Sequence, residues 1–451
     1  MKQKKLQYTK KDVVLSLQHM FAMLGATIVV PILGNLNVSV TLLAMGLSTM
    51  AFYFIAEKKV PVFLGASFAF LPAYISILGS AGAIGSAGWN EQMGALSVAL
   101  LFVGLLYFVF AFIVKKLGVA KMKKIFPTIV IAPIVILIGL ILAPKMIYSN
   151  IVVNYVSGAS PAWKEWTTAI VTAVTILVVN SYAPKRSAIK IMPILIGFLV
   201  GYLYAYFIGL VQLNGIFSGQ IFVFQDVSKL FSFYGNLHIN WGVILSVLPL
   251  AVVSIMEHIG DISANSIVCK KDFFEDPGIH KTLMADGTAG VIASVLGAPA
   301  NTTYSENTAV LALTKNYNPR NLFLAGFFTV VLAIFTPFAE FLTSIPSSVI
   351  GGASFILFGM ISSSGLRTLI EHKTDLNNNK NLMIMSIMLA IGLGLATLSI
   401  LGDVTGDDAY KIMLFGVEVS PLVIATLLGV FLNTILPKEK ETKQDTIDSH
   451  L

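Results

Sequence analysis

Fourteen runs of apolar and small residues, separated by short loops that hold most of the charge, restrict this chain to one kind of fold. They lie at 13–33, 40–56, 61–77, 94–114, 126–142, 167–181, 188–210, 242–268, 282–297, 300–314, 321–342, 348–366, 381–401 and 412–436. The longer ones match the roughly 20 residues that an α-helix needs to cross a bilayer. Of the 451 residues, 56% are hydrophobic and 12% are charged, against roughly a quarter charged in soluble domains. The expectation is an all-α polytopic membrane protein with 14 transmembrane segments. The basic start, MKQKKLQYTKK, leads into a run from Val13 to Leu33 of full spanning length, which reads as a first span and not as a cleaved leader.

The loops test the count, because cytoplasmic segments collect Lys and Arg. With the N-terminus inside, alternate loops hold Lys58 and Lys59; Lys115, Lys116, Lys121, Lys123 and Lys124; Lys185, Arg186 and Lys190; and Lys270, Lys271 and Lys281. Lys315 and Arg320 follow, then Arg367, Lys373 and Lys380, then Lys438, Lys440 and Lys443. With Lys2, Lys4, Lys5, Lys10 and Lys11 this makes 26 of the 30 basic residues, leaving Lys145, Lys164, Lys229 and Lys411 for the other face. Both termini are therefore expected in the cytoplasm. The net charge of +7 is a topology signal, not a nucleic-acid patch.

Fourteen divides into two sevens, and an odd-numbered second copy must enter the membrane in the opposite sense, the inverted-repeat plan of many transporters. Residues 125–142, IFPTIVIAPIVILIGLIL, resemble 345–361, IPSSVIGGASFILFGMI, at the equivalent fifth and twelfth positions. The equivalent third and tenth spans are both broken, one by Gly65 and Pro72, the other by Gly297 and Pro299. Their first halves, Phe63 to Phe70 and Asn301 to Tyr304, read as short extended strands. Non-helical backbone at membrane depth is tolerated only where protein or a cavity satisfies its polar groups, so paired broken spans point to a substrate site.

The ionisable groups inside spans converge on the same place. In SIMEHIGDISANS, residues 254–266, Glu257 and Asp261 are four apart and share a helix face about 6 Å apart along the axis. Charges are expensive in hydrocarbon and mark a pathway by default; two like carboxylates in one site suit reversible proton uptake. His258 points about 100° away from Glu257, which suits packing with a satisfied ring. Glu306 follows the second extended piece where a half-helix begins, so Ser305 and Glu306 offer backbone donors and a carboxylate together. Ser305 or Asn301 could also simply cap that helix. His19 is suited to hydrogen-bonding the broken spans, and Asp286 and Glu340 to joining helices.

The motifs SLQHMFAMLGATIVVP (16–31), GASFAF (65–70), EHIGD (257–261), KKDFFEDPGIH (270–280) and PANTTYSEN (299–307) resemble those of the nucleobase-ascorbate transporters, or xanthine/uracil permeases, and within them the bacterial uracil permeases. That resemblance covers nearly the whole chain. It implies two inverted repeats of seven spans, with a core domain from 1–124 and 242–344 and a gate domain from 125–241 and 345–451. It implies that Glu257 and Glu306 hold the base, that backbone N–H groups at Phe68 and Ser305 meet its carbonyls, and that Ala26 packs on the ring. Tyr304 and Phe358 belong to the same binding set; Glu257, Asp261 and Glu306 are the proton-coupling set; His19 and Asn301 support the site. Uracil-type members carry His where this chain has Asp261, purine-type members Asp, and Phe358 stands where a gate Tyr contacts the site.

The expected function is proton-coupled uracil uptake across the bacterial inner membrane by alternating access, in a homodimer joined through its gate domains and surrounded by lipid. A purine permease of the same fold is the nearest alternative, and an anion exchanger a lesser one, since two glutamates disfavour an anionic substrate. A metalloprotease needs HExxH, which EHIGD does not supply. No metal, cofactor or catalytic residue is expected, and the single cysteine, Cys269, is expected to be a free cytosolic thiol.

Overall fold

The computed structural model describes residues 8–118, 127–184, 187–211, 219, 221–222, 231–414 and 417–437. Lys121, Lys123 and Lys124, Lys185 and Arg186, most of the loop at 212–230 and the polar tail beyond Pro437 lie outside the described residues.

The chain is mostly helical. The helices of the first half are α1 (Lys10–Leu33), α2 (Val38–Ile55), α3 (Leu71–Leu78), α4 (Ala87–Leu117), α5 (Thr128–Ile147), α6 (Ala162–Tyr182) and α7 (Pro193–Phe207). Those of the second are α8 (Trp241–Cys269), α9 (Ile279–Leu296), α10 (Ser305–Thr314), α11 (Pro319–Ile334), α12 (Ser347–Glu371), α13 (Asn379–Thr405) and α14 (Pro421–Ile435), with shorter helical pieces at Val153–Val156, Ala188–Ile191 and Thr336–Thr343. Among the described residues, eight helices are long and apolar enough to cross a membrane: α1, α2, α4, α5 with its extension to Val156, α6, α8, α12 and α13. The third and tenth segments are half-helices because their first halves are extended. Strands β1 (Leu64–Ala66) and β2 (Asn301–Thr303) pair antiparallel, with Leu64 opposite Thr303, Gly65 opposite Thr302 and Ala66 opposite Asn301. All six residues are buried, and each strand satisfies the other's backbone, as the interior requires.

Several boundaries differ from those expected. The extended piece at 63–70 is shorter, since Phe68–Phe70 already forms a 3-10 turn. Residues 145–156 continue α5 through a wider π turn at Tyr148–Val152 and are not loop. The seventh run breaks at Met192, before Pro193, because proline disfavours helical backbone at the residue preceding it. The last run opens with a hairpin, Met413–Leu414 against Val417–Glu418, before α14 begins. The tenth helix is capped by Tyr304 without a side-chain hydrogen bond, so neither Ser305 nor Asn301 is its cap.

Small residues set the closest helix crossings. A Cβ on Gly46 of α2 would lie 2.6 Å from the carbonyl of Gly326 on α11, and one on Gly104 of α4 would lie 2.9 Å from that of Gly287 on α9. Ser97 of α4 and Ser294 of α9 donate to each other's carbonyls at 2.7 and 2.8 Å. Backbones approach this closely only where no side chain intervenes, the usual device where lipid offers no hydrophobic drive for association. Packing follows two sets: α4 on α9, α2 on α9 and α11, and α8 on α4; then α5 on α12 and α13, α6 on α7 and α12, and α13 on α14.

Candidate functional site

The site is built where the two strands end and the half-helices begin. Gly297, at φ +71°, ends α9 in a left-handed turn that turns the chain toward β2. Tyr304 reaches back across the strands, and its hydroxyl donates to the Ala66 carbonyl at 2.6 Å. Its ring lies flat over Gly65, where a Cβ would come within 2.4 Å of two ring carbons. The hydroxyl oxygen of Tyr74 of α3 accepts from the Ala300 N–H at 2.7 Å, just ahead of β2. Thr49 of α2 accepts from the Leu64 N–H at 3.0 Å, and Asn301 donates to Ser48 at 2.6 Å. The carbonyl of Pro61, just ahead of β1, accepts from both Asn265 of α8 and Asn307 of α10, at 2.9 and 3.0 Å. Each bond removes a buried polar group that would otherwise cost about 1–3 kcal/mol.

On this frame α8 presents Glu257 and Asp261, both half-buried, on either side of Gly260, beyond which the space is open. Thr303 of β2 donates to the Asp261 carboxylate at 2.8 Å. Glu306, in the first turn of α10, is accessible and lies close enough to Glu257 and Asp261 to act on both electrostatically. Ser305 opens α10 and Phe68 opens the turn after β1, positions whose N–H groups have no partner within their own helix. Phe68 meets Phe358 of α12 edge to face, ring centroids 6.2 Å apart. Ala26 is buried in α1, and His19 is buried on the same helix beside Asn307.

The exposed residues near this cluster lie toward one end of the helices. Along α8 the accessible strip runs from Glu257 through Gly260 and Ala264 to Ile267, whereas Val253–Met256 before it are buried. Along α10 it runs through Glu306, Ala309 and Ala312, and along α12 it begins at Gly359, directly after buried Phe358. These strips lead to the helix ends followed by Lys270, Lys315 and Lys373. At the opposite end a small crevice lined by Pro72, Ser76, Leu142, Ser399, Glu418 and Ser420 contains none of the cluster residues. Beside it Asp403 binds Lys145 at 2.9 Å and Lys411 at 3.0 Å.

Two contacts, Thr303 with Asp261 and Cys269 with Asn265, have no counterpart in the sequence reading. Thr303 is the partner of Asp261, a pairing for which the sequence carries no signal. His258 packs away from Glu257 and contacts Asp286 and Thr282 of α9, in line with a packed, partnered ring and with Asp286 joining helices. Cys269 is a free thiol, as expected; it is buried and donates to Asn265 at 3.2 Å. Among the described residues no cluster of side chains could hold a metal ion.

The xanthine/uracil permease model, described as a permease family, matches residues 10–401. The chain is 35% identical to a uracil permease of Bacillus caldolyticus over 438 residues, covering 97% of this chain and 95% of the relative. It is 34% identical to a uracil permease of Bacillus subtilis over 96% of this chain and 94% of the relative. A third, the Escherichia coli K12 uracil permease, is also 34% identical, over 93% and 90%. Among solved structures, the transmembrane domain of the cyanobacterial bicarbonate transporter BicA aligns with a TM-score of 0.58 at 13% identity, covering 94% of this chain and 97% of that one. The murine anion transporter Slc26a9 in its inward-facing state aligns at 0.60 and 10% identity, covering 96% and 69%; both likenesses concern the fold alone. Helices able to span a bilayer, a family match from residue 10 to residue 401 and whole-length uracil permease relatives lead to one conclusion: this chain belongs to the xanthine/uracil permease family, as a multi-pass membrane transporter and not an enzyme.

Proposed function

We propose that the protein takes up uracil, or a closely related nucleobase, together with protons, by alternating access. The observation that carries this reading is the meeting of Glu257 and Glu306 beside the paired strand ends. Uracil is neutral and planar, with two N–H donors and two carbonyl acceptors. The carboxylates accept from the donors, and the N–H groups of Phe68 and Ser305, at the first positions of their helical turns, meet the carbonyls. Ala26, Tyr304 and Phe358 complete the walls of the site. A proton taken up by the carboxylates, Asp261 among them, offsets their charge while the base is bound. His19 and Asn301 hold the broken segments from behind.

Fourteen spans in two inverted sevens give this site its setting. The symmetry-related third and tenth segments supply β1 and β2, and their antiparallel pairing supports the reading. So do the two packing sets, which follow the division into a core (1–124 and 242–344) and a gate (125–241 and 345–451). With both termini cytoplasmic in the plasma membrane, the accessible strips open toward the basic, inner face, and the crevice beside Asp403 is the closed outer seam. The core then moves against the gate to exchange access, in a dimer joined through the gates.

Relatives named as uracil permeases disfavour a purine permease, and two carboxylates in the site disfavour an anionic substrate despite the fold shared with anion transporters. The test is uptake of labelled uracil into proteoliposomes under an imposed pH gradient, with unlabelled bases as competitors. Glu257→Gln and Glu306→Gln should each abolish gradient-driven uptake; retention of wild-type uptake by both, or competition by xanthine but not by uracil, overturns the assignment.

A further inference from the structure

Three aromatic rings meet where α2 ends and α11 begins: Tyr53, Phe54 and Phe323 have centroids 5.1, 5.3 and 5.5 Å apart. Two cations flank the group. Lys58, in a left-handed turn at φ +61°, bends back so that its Nζ lies 5.5 Å from the Phe54 centroid. Arg320, in the first turn of α11, lies beside Tyr53 with its guanidinium 5.1 Å from the ring of Tyr8. Among the described residues neither cation forms an ion pair. The nearest carboxylates are engaged elsewhere: Glu57 is held by Lys59 and Lys281, and Asp12, near Arg320, accepts from the N–H and hydroxyl of Thr9 at 2.9 and 2.6 Å. The last carbonyls of α2 are taken as well, since Phe52, Tyr53 and Phe54 accept from Ala56, Lys58 and Glu57. Helical spacing puts Leu47 on the face of Phe54, and Phe327 and Val331 on the face of Phe323; Leu47, Phe54, Phe327 and Val331 are exposed. An apolar face thus ends in rings with two unclaimed positive charges at their rim. In a membrane protein that is the pattern of the lipid headgroup boundary, where aromatic rings and cations collect.

We propose that this rim is a binding site for an anionic phospholipid, whose phosphate is met by Lys58 and Arg320 and whose acyl chains run along Phe54, Phe327 and Val331. A zwitterionic phospholipid brings its own cation to the same place and leaves the two positive charges uncompensated, so it binds less tightly. A lipid held there joins α2 to α11 and, through Tyr8, to the start of α1. The site lies outside the cluster around Glu257 and Glu306 and does not depend on which base is carried.

The test is native mass spectrometry of the purified full-length protein in detergent, titrated with phosphatidylglycerol or with phosphatidylcholine of the same acyl chains. Phosphatidylglycerol should bind about tenfold more tightly or better, and Lys58→Gln combined with Arg320→Gln should bring the two lipids to within about threefold of each other. Lys270→Gln combined with Lys271→Gln removes the same charge from two exposed cations at the end of α8 and should keep the preference. No preference in the wild type, a preference that survives loss of Lys58 and Arg320, or an equal loss in the Lys270 and Lys271 control each overturns the site. Inorganic phosphate in large excess should leave phosphatidylglycerol bound; displacement by it overturns a lipid site in favour of a free-anion one. Should the Lys58 and Arg320 double variant not elute and melt like wild type, Lys58→Gln alone, at an exposed position, decides: a loss of preference of about threefold or more is expected, and an unchanged preference overturns the proposal.

Discussion

Gly65→Ala is the smallest change that reaches the centre of the site. The new methyl would sit 2.4 Å from Cε2 and Cζ of Tyr304 and 2.9 Å from its hydroxyl, where ordinary contact begins near 3.4 Å. The ring must therefore retreat by 3.4 − 2.4 = 1.0 Å. It cannot do so in place, because the hydroxyl is anchored to the Ala66 carbonyl at 2.6 Å and Tyr304 is buried. Losing that bond costs about 1 kcal/mol, and forcing a methyl into a packed site costs about 1–3 kcal/mol. The sum, about 2–4 kcal/mol, corresponds to roughly 30- to 1000-fold at about 1.4 kcal/mol per decade. Glu306 lies two residues beyond Tyr304, so this displacement is expected to appear as weaker uracil binding, and isothermal titration of the purified protein measures it directly. Tyr304→Phe removes only the hydrogen bond and should cost about 1 kcal/mol, near fivefold. Adding Tyr304→Leu to Gly65→Ala makes room for the methyl and should recover part of the loss. Wild-type affinity in Gly65→Ala would refute the reasoning, because the close approach would then carry no constraint.

Three further outcomes follow from contacts elsewhere. Thr303→Val removes the donor to Asp261 and should slow uracil uptake by about ten- to a hundredfold, since hydrogen bonds to charged groups contribute about 1.5–3 kcal/mol; Thr303→Ser should stay near wild type in the same uptake assay. Gly104→Val drives a side chain into the Gly287 carbonyl and Val291, so the melting temperature should fall by a few degrees at about 1–3 kcal/mol of overpacking, with uptake per folded molecule little changed. Outside the spans, Lys281 and then Lys59 push the exposed Glu57 carboxyl down to about 2 from its ordinary 4.5. A carboxylate with a depressed folded value stabilises above the unfolded value and loses that effect as pH falls toward the folded one. The melting difference between wild type and Glu57→Gln should therefore be small and constant from pH 5 to 8, and should close between pH 4.5 and 2.

The parts of this fold that were legible are those in which one residue suffices. Gly65 and Pro72, and Gly297 and Pro299, announce broken segments because neither residue type continues a helix comfortably. Glu257 and Asp261 share a face because helical geometry places i and i+4 together. What was not legible depends on pairing. Strands of three residues carry too little alternation to reveal a register, so nothing in the chain assigns Thr303 to Asp261. His258 reads as an ordinary packed ring until α9 brings Thr282 and Asp286 to it. Residues from Lys145 onward read as an external loop, yet the helix runs on through a π turn to Val156, absorbing an irregularity that composition does not register.

The pairing of β1 with β2 also bears on how the protein is made. Ala66 and its partner Asn301 are 301 − 66 = 235 residues apart, so more than half of the chain leaves the ribosome between the first strand and the second. Throughout that interval β1 has no ladder partner, and bare extended backbone is poorly tolerated in hydrocarbon. A segment made early is thus completed only late, and the first half of the protein must be sheltered by the insertion machinery, or held at the membrane surface, until β2 arrives.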